Sequence, residues 1–264
     1  MKNIYERFNI KEKIVVVVGG SGQLGLKTLE YLVDAKCIVV NLDLINSFNT
    51  KKNNYHYYKL DVSKESQVKK VVQKIKKKFK KIDILINHSH FKGNKKDLVP
   101  FHNFFSSVDK YPSNIWKKTL EVNLDGLFYV TKHFLPLLLK NKNSVILNTS
   151  STYGKVSPNK NIYGNSGINS PIPYATTKFA IIGFTKYLAA HYAEKGLRAN
   201  ILIPGGIRNK NHKKNFLKNY SKITPMKRLS NSDEYKEAIL FLISDASSYV
   251  TGSEITIDGG FTAW

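Results

Sequence analysis

The stretch that decides the fold is Ile14-Val15-Val16-Val17-Val18-Gly19-Gly20-Ser21-Gly22-Gln23-Leu24-Gly25. Its β-branched run predicts a strand that is buried on both faces, as in a parallel sheet. The glycines predict a tight turn, and the apolar periodicity over residues 24–33 predicts a helix directly after it. Such a turn lets the backbone approach a pyrophosphate, which the helix N-terminus attracts. We therefore predict a dinucleotide site here.

Strand and helix patterns alternate along the rest of the chain. Further strands are predicted at 37–42, 55–61, 82–87, 144–149, 197–203 and 254–258. Helices are predicted at 64–80, 114–139, 174–195 and 232–244, the second of them with a kink at Pro136. This alternation predicts an α/β fold, a Rossmann-like doubly wound parallel sheet of about seven strands with helices on both faces. Because no linker composition interrupts residues 1–264, we expect a single domain.

The composition is strongly basic. Of the 264 residues, 42 are Lys or Arg and 19 are Asp or Glu, which gives a formal charge of +23. Such a charge fits an anionic partner, namely nucleic acid, a membrane surface or a phosphorylated substrate. Only four of the basic residues are arginine, however, and specific nucleic-acid sites depend on arginine forks. We therefore favour a general lysine bias and expect neither a nucleic-acid nor a membrane partner.

The location of the protein is also suggested by its sequence. The single cysteine, Cys37, excludes an internal disulfide, and residues 1–13 carry charges without an apolar run. We therefore expect no signal peptide and a cytoplasmic protein. The apolar run 134–139 is far too short to span a bilayer. No group of His and Cys residues has metal-ligand spacing, so we expect no metal.

Tyr174 and Lys178 lie four residues apart at the start of a predicted helix, just after Pro171 and Pro173. Residues at this spacing share one helix face, where an ammonium favours the phenolate and lowers the pKa of the tyrosine. A tyrosine tuned in this way can act as general acid or base on an alcohol or a carbonyl. Such pairs are common on helix surfaces, and it is the glycine turn upstream that favours a catalytic role for this one.

Asp43 ends the second predicted strand. A carboxylate there can accept hydrogen bonds from both ribose hydroxyls of an adenosine, and it repels a 2′-phosphate. The next residue, Leu44, offers no positive charge. The predicted cofactor is therefore NAD in preference to NADP.

Together these motifs resemble the short-chain dehydrogenase/reductase family over nearly the whole chain. The matching segments are Gly19 to Gly25, Asp61-Val62, Asn87-His88-Ser89, Val122-Asn123-Leu124-Asp125-Gly126, Asn148-Thr149-Ser150-Ser151, Tyr174 to Lys178, Pro204-Gly205-Gly206-Ile207 and Asp258-Gly259-Gly260. The resemblance implies an NAD(P)-dependent oxidoreductase that transfers a hydride between a nicotinamide cofactor and a hydroxyl or carbonyl. It also implies a homodimer or homotetramer that assembles through helices 114–139 and 174–195, with Leu188, Ala189, Tyr192 and Ala193 in the contact. The apolar ending 261–264 is a further candidate for burial between subunits.

The resemblance implies a catalytic tetrad of Asn123, Ser151, Tyr174 and Lys178. Tyr174 would exchange the proton, Lys178 would hold both Tyr174 and the nicotinamide ribose, Ser151 would hold the substrate oxygen, and Asn123 would hold a water. The expected cofactor contacts are Gly19, Ser21, Gly22, Gln23, Leu24, Gly25, Asp43, Asp61, Val62, Asn87, His88, Tyr174, Lys178, Pro204, Gly205 and Ile207. Candidate substrate contacts are Ser151, Tyr153, Tyr163 and Arg208.

Several features depart from the family pattern. His88 and Ser89 replace small residues, and residues 159–170 look inserted between Ser151 and Tyr174. The glycine spacing is more like that of the longer, sugar-nucleotide-modifying branch. A narrower resemblance, carried by residues 150–154, the insert and residues 204–207, is to the flagellin modification protein A type of oxidoreductase. It implies a sugar or sugar-derivative substrate in surface-glycan (nonulosonic acid) biosynthesis.

The substrate side leaves alternatives open. Residues 159–170 and 209–222 are predicted to be polar loops beyond the ends of strands. The basic residues of 207–222, among them Arg208, either cap an anionic sugar, a phosphate or a nucleotide, or form a mobile lysine-rich loop. Besides a sugar oxidoreductase, the candidates are a 3-oxoacyl-thioester reductase and a non-enzymatic protein that senses NAD or binds nucleic acid.

Overall fold

The computed structural model describes residues 3–91, 93 and 104–264. Seven strands form one sheet: β1 (Ile14–Val18), β2 (Ile38–Asp43), β3 (Tyr55–Lys59), β4 (Ile84–Asn87), β5 (Ser144–Thr149), β6 (Leu197–Pro204) and β7 (Glu254–Ile257). Their order across the sheet is β3-β2-β1-β4-β5-β6-β7, and all six pairings are parallel. The predicted doubly wound α/β fold is confirmed.

The helices cover both faces of the sheet. They are α1 (Ile4–Phe8), α2 (Gln23–Asp34), α3 (Glu65–Phe79), α4 (Ser113–Leu120), α5 (Gly126–Leu138), α6 (Ile172–Tyr192), α7 (Lys214–Ile223) and α8 (Lys236–Ile243). Alternate residues of β1 enter two separate cores, because successive strand side chains point to opposite faces. Val16 and Val18 pack with α3, α5 and α6, whereas Val15 and Val17 pack with α2 and α8.

The chain reverses its direction of winding between β1 and β4, which lie side by side at the centre of the sheet. Two main-chain hydrogen bonds fix the segments that leave these strands. Gly19 N donates to Leu42 O of β2 (2.9 Å), and His88 N donates to Val18 O of β1 (2.9 Å). Open α/β sheets bind ligands in the crevice at such a switch point, beyond the carboxyl ends of the strands.

The long helix predicted at 114–139 is divided in the structure. A π-helical turn, Glu121–Asp125, separates α4 from α5 and contains Asn123. Pro136 lies within α5, so the change of helical geometry falls well before the predicted kink. The π turn coincides with side-chain hydrogen bonds from Asn123 to other elements, and such turns are frequent at functional sites.

The prediction of a polar loop over 209–222 is wrong for most of that segment, because α7 occupies Lys214–Ile223. Phe216, Leu217, Tyr220 and Ile223 have helical spacing and give α7 an apolar face. This face packs in an aromatic cluster with side chains from the insert and the C-terminal segment. The insert itself contains a short 3₁₀ turn, Lys160–Tyr163, within otherwise irregular backbone.

The prediction of subunit-contact residues on α6 is partly wrong. Leu188 and Ala189 are buried in the core of their own chain, because this side of α6 faces the sheet. Phe261 is likewise buried within the chain, whereas Trp264 is exposed. The large apolar side chains that α5 and α6 expose are Phe128, Phe179 and Tyr187. Across the described residues, no helix has the length and apolar character that crossing a membrane requires.

Candidate active site

A cavity of about 1300 Å³ opens at the carboxyl edge of the sheet. Its walls come from the glycine turn after β1, from the segments that follow β2 to β6, from the first turns of α6, and from the insert and α7. The cavity therefore spans the switch point between β1 and β4 and extends toward α7. It places the predicted nucleotide turn and the predicted Tyr–Lys pair in one continuous space.

The glycine turn forms one end of the cavity. A Cβ on Gly25 would stand 2.3 Å from Gly19 O and 2.7 Å from Gly20 Cα, so the turn closes tightly only with glycine there. A Cβ on Gly22 would meet a single atom, at 3.4 Å, because Gly22 faces the cavity. Helix α2 begins directly after Gly22, so the unpaired N–H groups of its first turn face the same space. These features fit a pyrophosphate.

Asp43 is fastened to this turn. Its Oδ2 accepts a hydrogen bond from Ser21 N (2.9 Å) and its Oδ1 accepts one from Leu44 N (2.7 Å). Ser21 Oγ in turn donates to Ile45 O (2.6 Å). A carboxylate has about four lone-pair sites, so Asp43 can still accept from ribose hydroxyls. The residues present fit the adenosine half of a dinucleotide.

Ser151, Tyr174 and Lys178 all line the cavity. Tyr174 and Lys178 lie in the first turns of α6 and are 8% and 2% exposed. Lys178 Nζ lies 5.7 Å from the centre of the Tyr174 ring and donates to Thr149 O at 2.9 Å. Ser151 is also buried, and its Oγ accepts from Tyr153 N (3.2 Å). A phenol, an ammonium and a hydroxyl therefore converge on one space, as acid–base chemistry on a substrate oxygen requires.

Asn123 does not line the cavity. Its Oδ1 accepts from Phe91 N (2.6 Å), and its Nδ2 donates to Phe91 O (3.3 Å) and to Thr177 Oγ1 (3.1 Å). The side chain thus joins the segment after β4 to α6, and its amide is engaged with protein groups rather than directed at the cavity.

Two further predicted contacts also lie outside the cavity lining. Asn87 Nδ2 donates to Asn148 Oδ1 (2.7 Å), so this side chain is bound to the neighbouring strand β5. Arg208 contributes its main chain, since its carbonyl accepts from Gln23 Nε2 (2.6 Å). The other predicted contacts do line the cavity: Gly19, Ser21, Gly22, Gln23, Leu24, Gly25, Asp43, Asp61, Val62, His88, Ser151, Tyr153, Tyr163, Tyr174, Lys178, Pro204, Gly205 and Ile207.

An aromatic wall closes the end of the cavity near α7. Tyr220 OH accepts from Gly206 N (2.7 Å), and its ring stacks on Phe261 with centres 5.1 Å apart. Burial raises the pKa of Tyr153, Tyr163 and Tyr220, so their hydroxyls stay neutral. Tyr220 was not predicted from the sequence, although Phe216 and Tyr220 at i and i+4 were a signal for an aromatic helix face.

His90 is a second residue of the candidate site that was not predicted from the sequence. Its ring centre lies 6.2 Å from that of Tyr174 in an edge-on arrangement, and its Nδ1 donates to His88 O (3.2 Å). The signal for it was its place directly after β4, at the edge where ligands bind.

The charges that line the cavity are unevenly distributed. Among its described lining residues, the carboxylates are Asp43, the last residue of β2, and Asp61, two residues after β3. The other end carries Lys213, Lys218 and Lys222, on α7 and the residue before it. This end attracts an anionic ligand group. No group of His, Cys, Asp and Glu in the described part of the chain could hold a metal ion.

Comparison with known proteins identifies the family. A family model described as Enoyl-(Acyl carrier protein) reductase matches residues 42–262. The chain is 31% identical to the 3-oxoacyl-(acyl-carrier-protein) reductase FabG of Thermotoga maritima, over 95% of this chain and 98% of that one. It is 27% identical to the NAD-dependent glycerol dehydrogenase of Listeria innocua, over 99% and 98% of the two chains.

A solved structure agrees with these relatives. A short-chain dehydrogenase from Leptospira borgpetersenii, crystallised with bound NAD+, superimposes with a TM-score of 0.87 and 32% identity, over 99% of this chain and 96% of that one. Family model, relatives and structure each cover most of the chain. The chain belongs to the short-chain dehydrogenase/reductase family of NAD(P)-dependent oxidoreductases.

Proposed function

We propose that residues 1–264 form one catalytic domain that uses NAD to oxidise a hydroxyl or reduce a carbonyl of an anionic sugar or sugar derivative. The observation that carries this proposal is the convergence of Ser151, Tyr174 and Lys178 on a cavity that also contains the glycine turn. The narrower resemblance to surface-glycan oxidoreductases supports the sugar, and the lysines at the α7 end support its negative charge. With a single buried Cys37 and no disulfide, the chain suits the cytoplasm.

The cofactor, when bound, gives or takes the hydride. The turn at Gly22 and the N-terminus of α2 would hold its pyrophosphate, and Asp43 would hold the adenosine ribose. Asp61 and Val62 would contact the adenine, and residues 204–207 would contact the nicotinamide. His88 lines the cavity. Asn87 lies outside the lining, so it would affect cofactor binding only through neighbouring residues such as Asn148.

The proton is handled by the chain itself. Tyr174 would take it from the substrate hydroxyl, or return it to a carbonyl. The buried ammonium of Lys178 would favour the phenolate form of Tyr174. Ser151 Oγ would donate a hydrogen bond to the substrate oxygen, which stabilises the charge that develops there. Asn123 would support these groups by holding Thr177 on α6.

The substrate class can be tested with a panel of nucleotide-linked sugars, free acidic sugars, neutral polyols and an acetoacetyl thioester. We expect turnover of acidic sugars. Replacing Lys213, Lys218 and Lys222 with alanine should raise KM for them about tenfold, the scale of a 1.4 kcal/mol loss, and leave neutral substrates unaffected. Replacing the exposed Lys69, Lys70 and Lys74 of α3 makes the same charge change away from the cavity and should alter neither KM. Equal KM changes for acidic and neutral substrates would contradict a charge-based role.

A second candidate is a 3-oxoacyl-thioester reductase. The description of the matching family model and the reductase from Thermotoga maritima favour it. In this case the acetoacetyl thioester, especially when attached to a carrier protein, would be reduced far faster than any sugar in the panel. The same lysines would then meet the acidic carrier rather than the substrate itself.

The preference for NAD is a separate prediction. We expect NAD+ to bind at least about tenfold more tightly than NADP+, because a like charge at about 4 Å from a 2′-phosphate costs roughly 1–4 kcal/mol. Asp43→Asn should reduce the ratio of NAD+ to NADP+ affinity, measured by calorimetry, chiefly by improving NADP+ binding. Asp34→Asn, at the far end of α2, makes the same charge change outside the cavity and should leave the ratio unchanged. Equal affinities in the wild-type protein would rule out this role of Asp43.

We also propose a homodimer or homotetramer. The exposed apolar side chains Phe128, Phe179 and Tyr187 on α5 and α6 support this assembly, since together they would be covered by a second copy.

A further inference from the structure

His88 carries a buried imidazole that the proton transfer proposed above does not use. It follows β4 directly and is 6% exposed. Its Nε2 lies 3.1 Å from Thr28 Oγ1 on α2, and its Nδ1 lies 2.7 Å from Thr149 Oγ1 at the end of β5. The ring therefore joins α2 to the end of β5, two elements that come from different parts of the chain.

The direction of each hydrogen bond follows from Thr28. Its hydroxyl lies 3.1 Å from Leu24 O, which can only accept, so the hydroxyl hydrogen points there. Because a hydroxyl has a single hydrogen, Thr28 Oγ1 must accept from His88 Nε2–H. A neutral imidazole carries one N–H, so Nδ1 accepts from the Thr149 hydroxyl.

The ring is held in this neutral form. Burial, and after it the nearby charge of Lys178, lower the pKa of His88 to about 3. The unfolded chain would protonate this histidine at about pH 6.5. Hence the contribution of His88 to stability is present above about pH 6.5 and is lost as the pH falls toward 3. At neutral pH the His88 ring therefore adds no second positive charge beside the Lys178 ammonium.

Thr149 also contacts Lys178, through its main chain rather than its hydroxyl, because Thr149 O accepts from Lys178 Nζ at 2.9 Å. The hydrogen-bonded series runs from Leu24 in the first turn of α2 through Thr28 and His88 to the Thr149 hydroxyl, and the backbone of Thr149 links it to the ammonium. Hydrogen bonds within the series polarise and orient one another as far as the Thr149 hydroxyl, and the last step to Lys178 depends on the position of Thr149. The lysine is thus connected to the helix whose N-terminus faces the nucleotide site.

We propose that His88 is a positioning residue that fixes the place of Thr149. Through the Thr149 carbonyl it holds Lys178 at a set distance from Tyr174 and from the start of α2. Its effect on catalysis rests on the proposed function, whereas the state of its ring does not. Its position explains how a histidine fits where the family has a small residue. The main chain at residues 88–89 lies against Gly19, where a Cβ would stand 2.6 Å from Ser89 N, and the ring points away toward Thr28.

The ring state can be measured directly by nitrogen–proton correlation NMR of the seven histidines. The spectrum of His88→Gln identifies the resonances of His88 by their loss. We expect a neutral ring protonated on Nε2 that does not titrate between about pH 8 and pH 5. Titration near pH 6.5, or protonation on Nδ1, would overturn the inference.

The link to Lys178 can be measured through the ionisation of Tyr174. The described groups that face Tyr174 include Lys178, His90, Tyr153 and Tyr163, all of which remain in His88→Ala. The readout is the tyrosinate ultraviolet absorbance of each background minus that of the same background with Tyr174→Phe. In His88→Ala the ionisation of Tyr174 should move up by about one pH unit, a tenfold loss of phenolate at fixed pH.

Two further variants complete this test. His88→Gln, which restores a donor and an acceptor, should recover part of the shift, and His56→Ala on β3 should show none. If His88→Ala does not fold, Thr149→Val removes the hydroxyl, keeps the carbonyl, and should shift Tyr174 in the same direction. An unchanged ionisation of Tyr174 in a folded His88→Ala or Thr149→Val protein would refute the inference. The proposed function would fail separately, through turnover that survives Tyr174→Phe.

Discussion

Tyr174→Phe is expected to lower turnover by about 10²–10⁴-fold, the usual contribution of a general acid–base group. The substitution removes the hydroxyl that would exchange a proton with the substrate and leaves the aromatic ring. Since Tyr174 is 8% exposed, the ring keeps its packing and the variant should fold. Binding of NAD+ should remain nearly intact, because the glycine turn and Asp43 are unchanged.

The measurement combines initial rates, with the best substrate of the panel, and NAD+ affinity by calorimetry. Tyr249→Phe is the matched control, since it makes the same change on a fully exposed residue outside the cavity lining and should leave both values unaltered. A Tyr174→Phe enzyme that retains turnover within about tenfold of wild type would show that another group transfers the proton.

Gly25→Ala is expected to damage both folding and cofactor binding. The new Cβ would stand 2.3 Å from Gly19 O and 2.7 Å from Gly20 Cα, and these are backbone atoms that cannot move aside alone. Overpacking of this kind costs about 1–3 kcal/mol of unfolding free energy. Because the displaced atoms belong to the turn that would hold the pyrophosphate, NAD+ affinity should also fall by about tenfold or more.

Gly22→Ala separates these two effects. Its Cβ would make one ordinary contact, at 3.4 Å, so the free energy of unfolding should change little. The methyl would enter the cavity where the pyrophosphate is proposed to lie, so NAD+ affinity should still fall. Denaturant unfolding and calorimetry on both variants test this pattern. Full NAD+ affinity in Gly22→Ala would mean that the nucleotide does not pass over this turn.

The parts of the fold that sequence predicted well have local signals. The run Ile14 to Val18 reads as a buried strand because every side chain is apolar and β-branched, and all five residues of β1 are buried. The turn after it needs glycine for steric reasons that act within a few residues. The strand–helix alternation then leaves few other topologies for a parallel sheet.

The parts that sequence missed depend on distant contacts. The lysines and asparagines of α7 suggested a loop, whereas its aromatic face is stabilised by Tyr163 from the insert and Phe261 from the C-terminal segment. Helix α6 carries apolar residues on most sides, so spacing alone did not show that Leu188 and Ala189 face the sheet. The hydrogen bonds of Asn123 to Phe91 likewise join segments that sequence cannot place together.

The candidate site shows the same difference between local motifs and distant contacts. Its nucleotide half is predicted from short motifs at the ends of β1 and β2, and most of the residues predicted there line the cavity. Its substrate half is built from the insert, α7 and the segment after β4, which explains why His90 and Tyr220 were missed. Of the three functions that the sequence left open, family membership selects an oxidoreductase, and the substrate panel decides between the remaining two.

The most direct test of the account is a crystal structure of the chain with NAD+ bound. We expect the pyrophosphate over Gly22, the adenosine ribose at Asp43, and the nicotinamide ribose within hydrogen-bond distance of Tyr174 and Lys178. A nucleotide bound elsewhere, or one whose nicotinamide end points away from Tyr174, would contradict it.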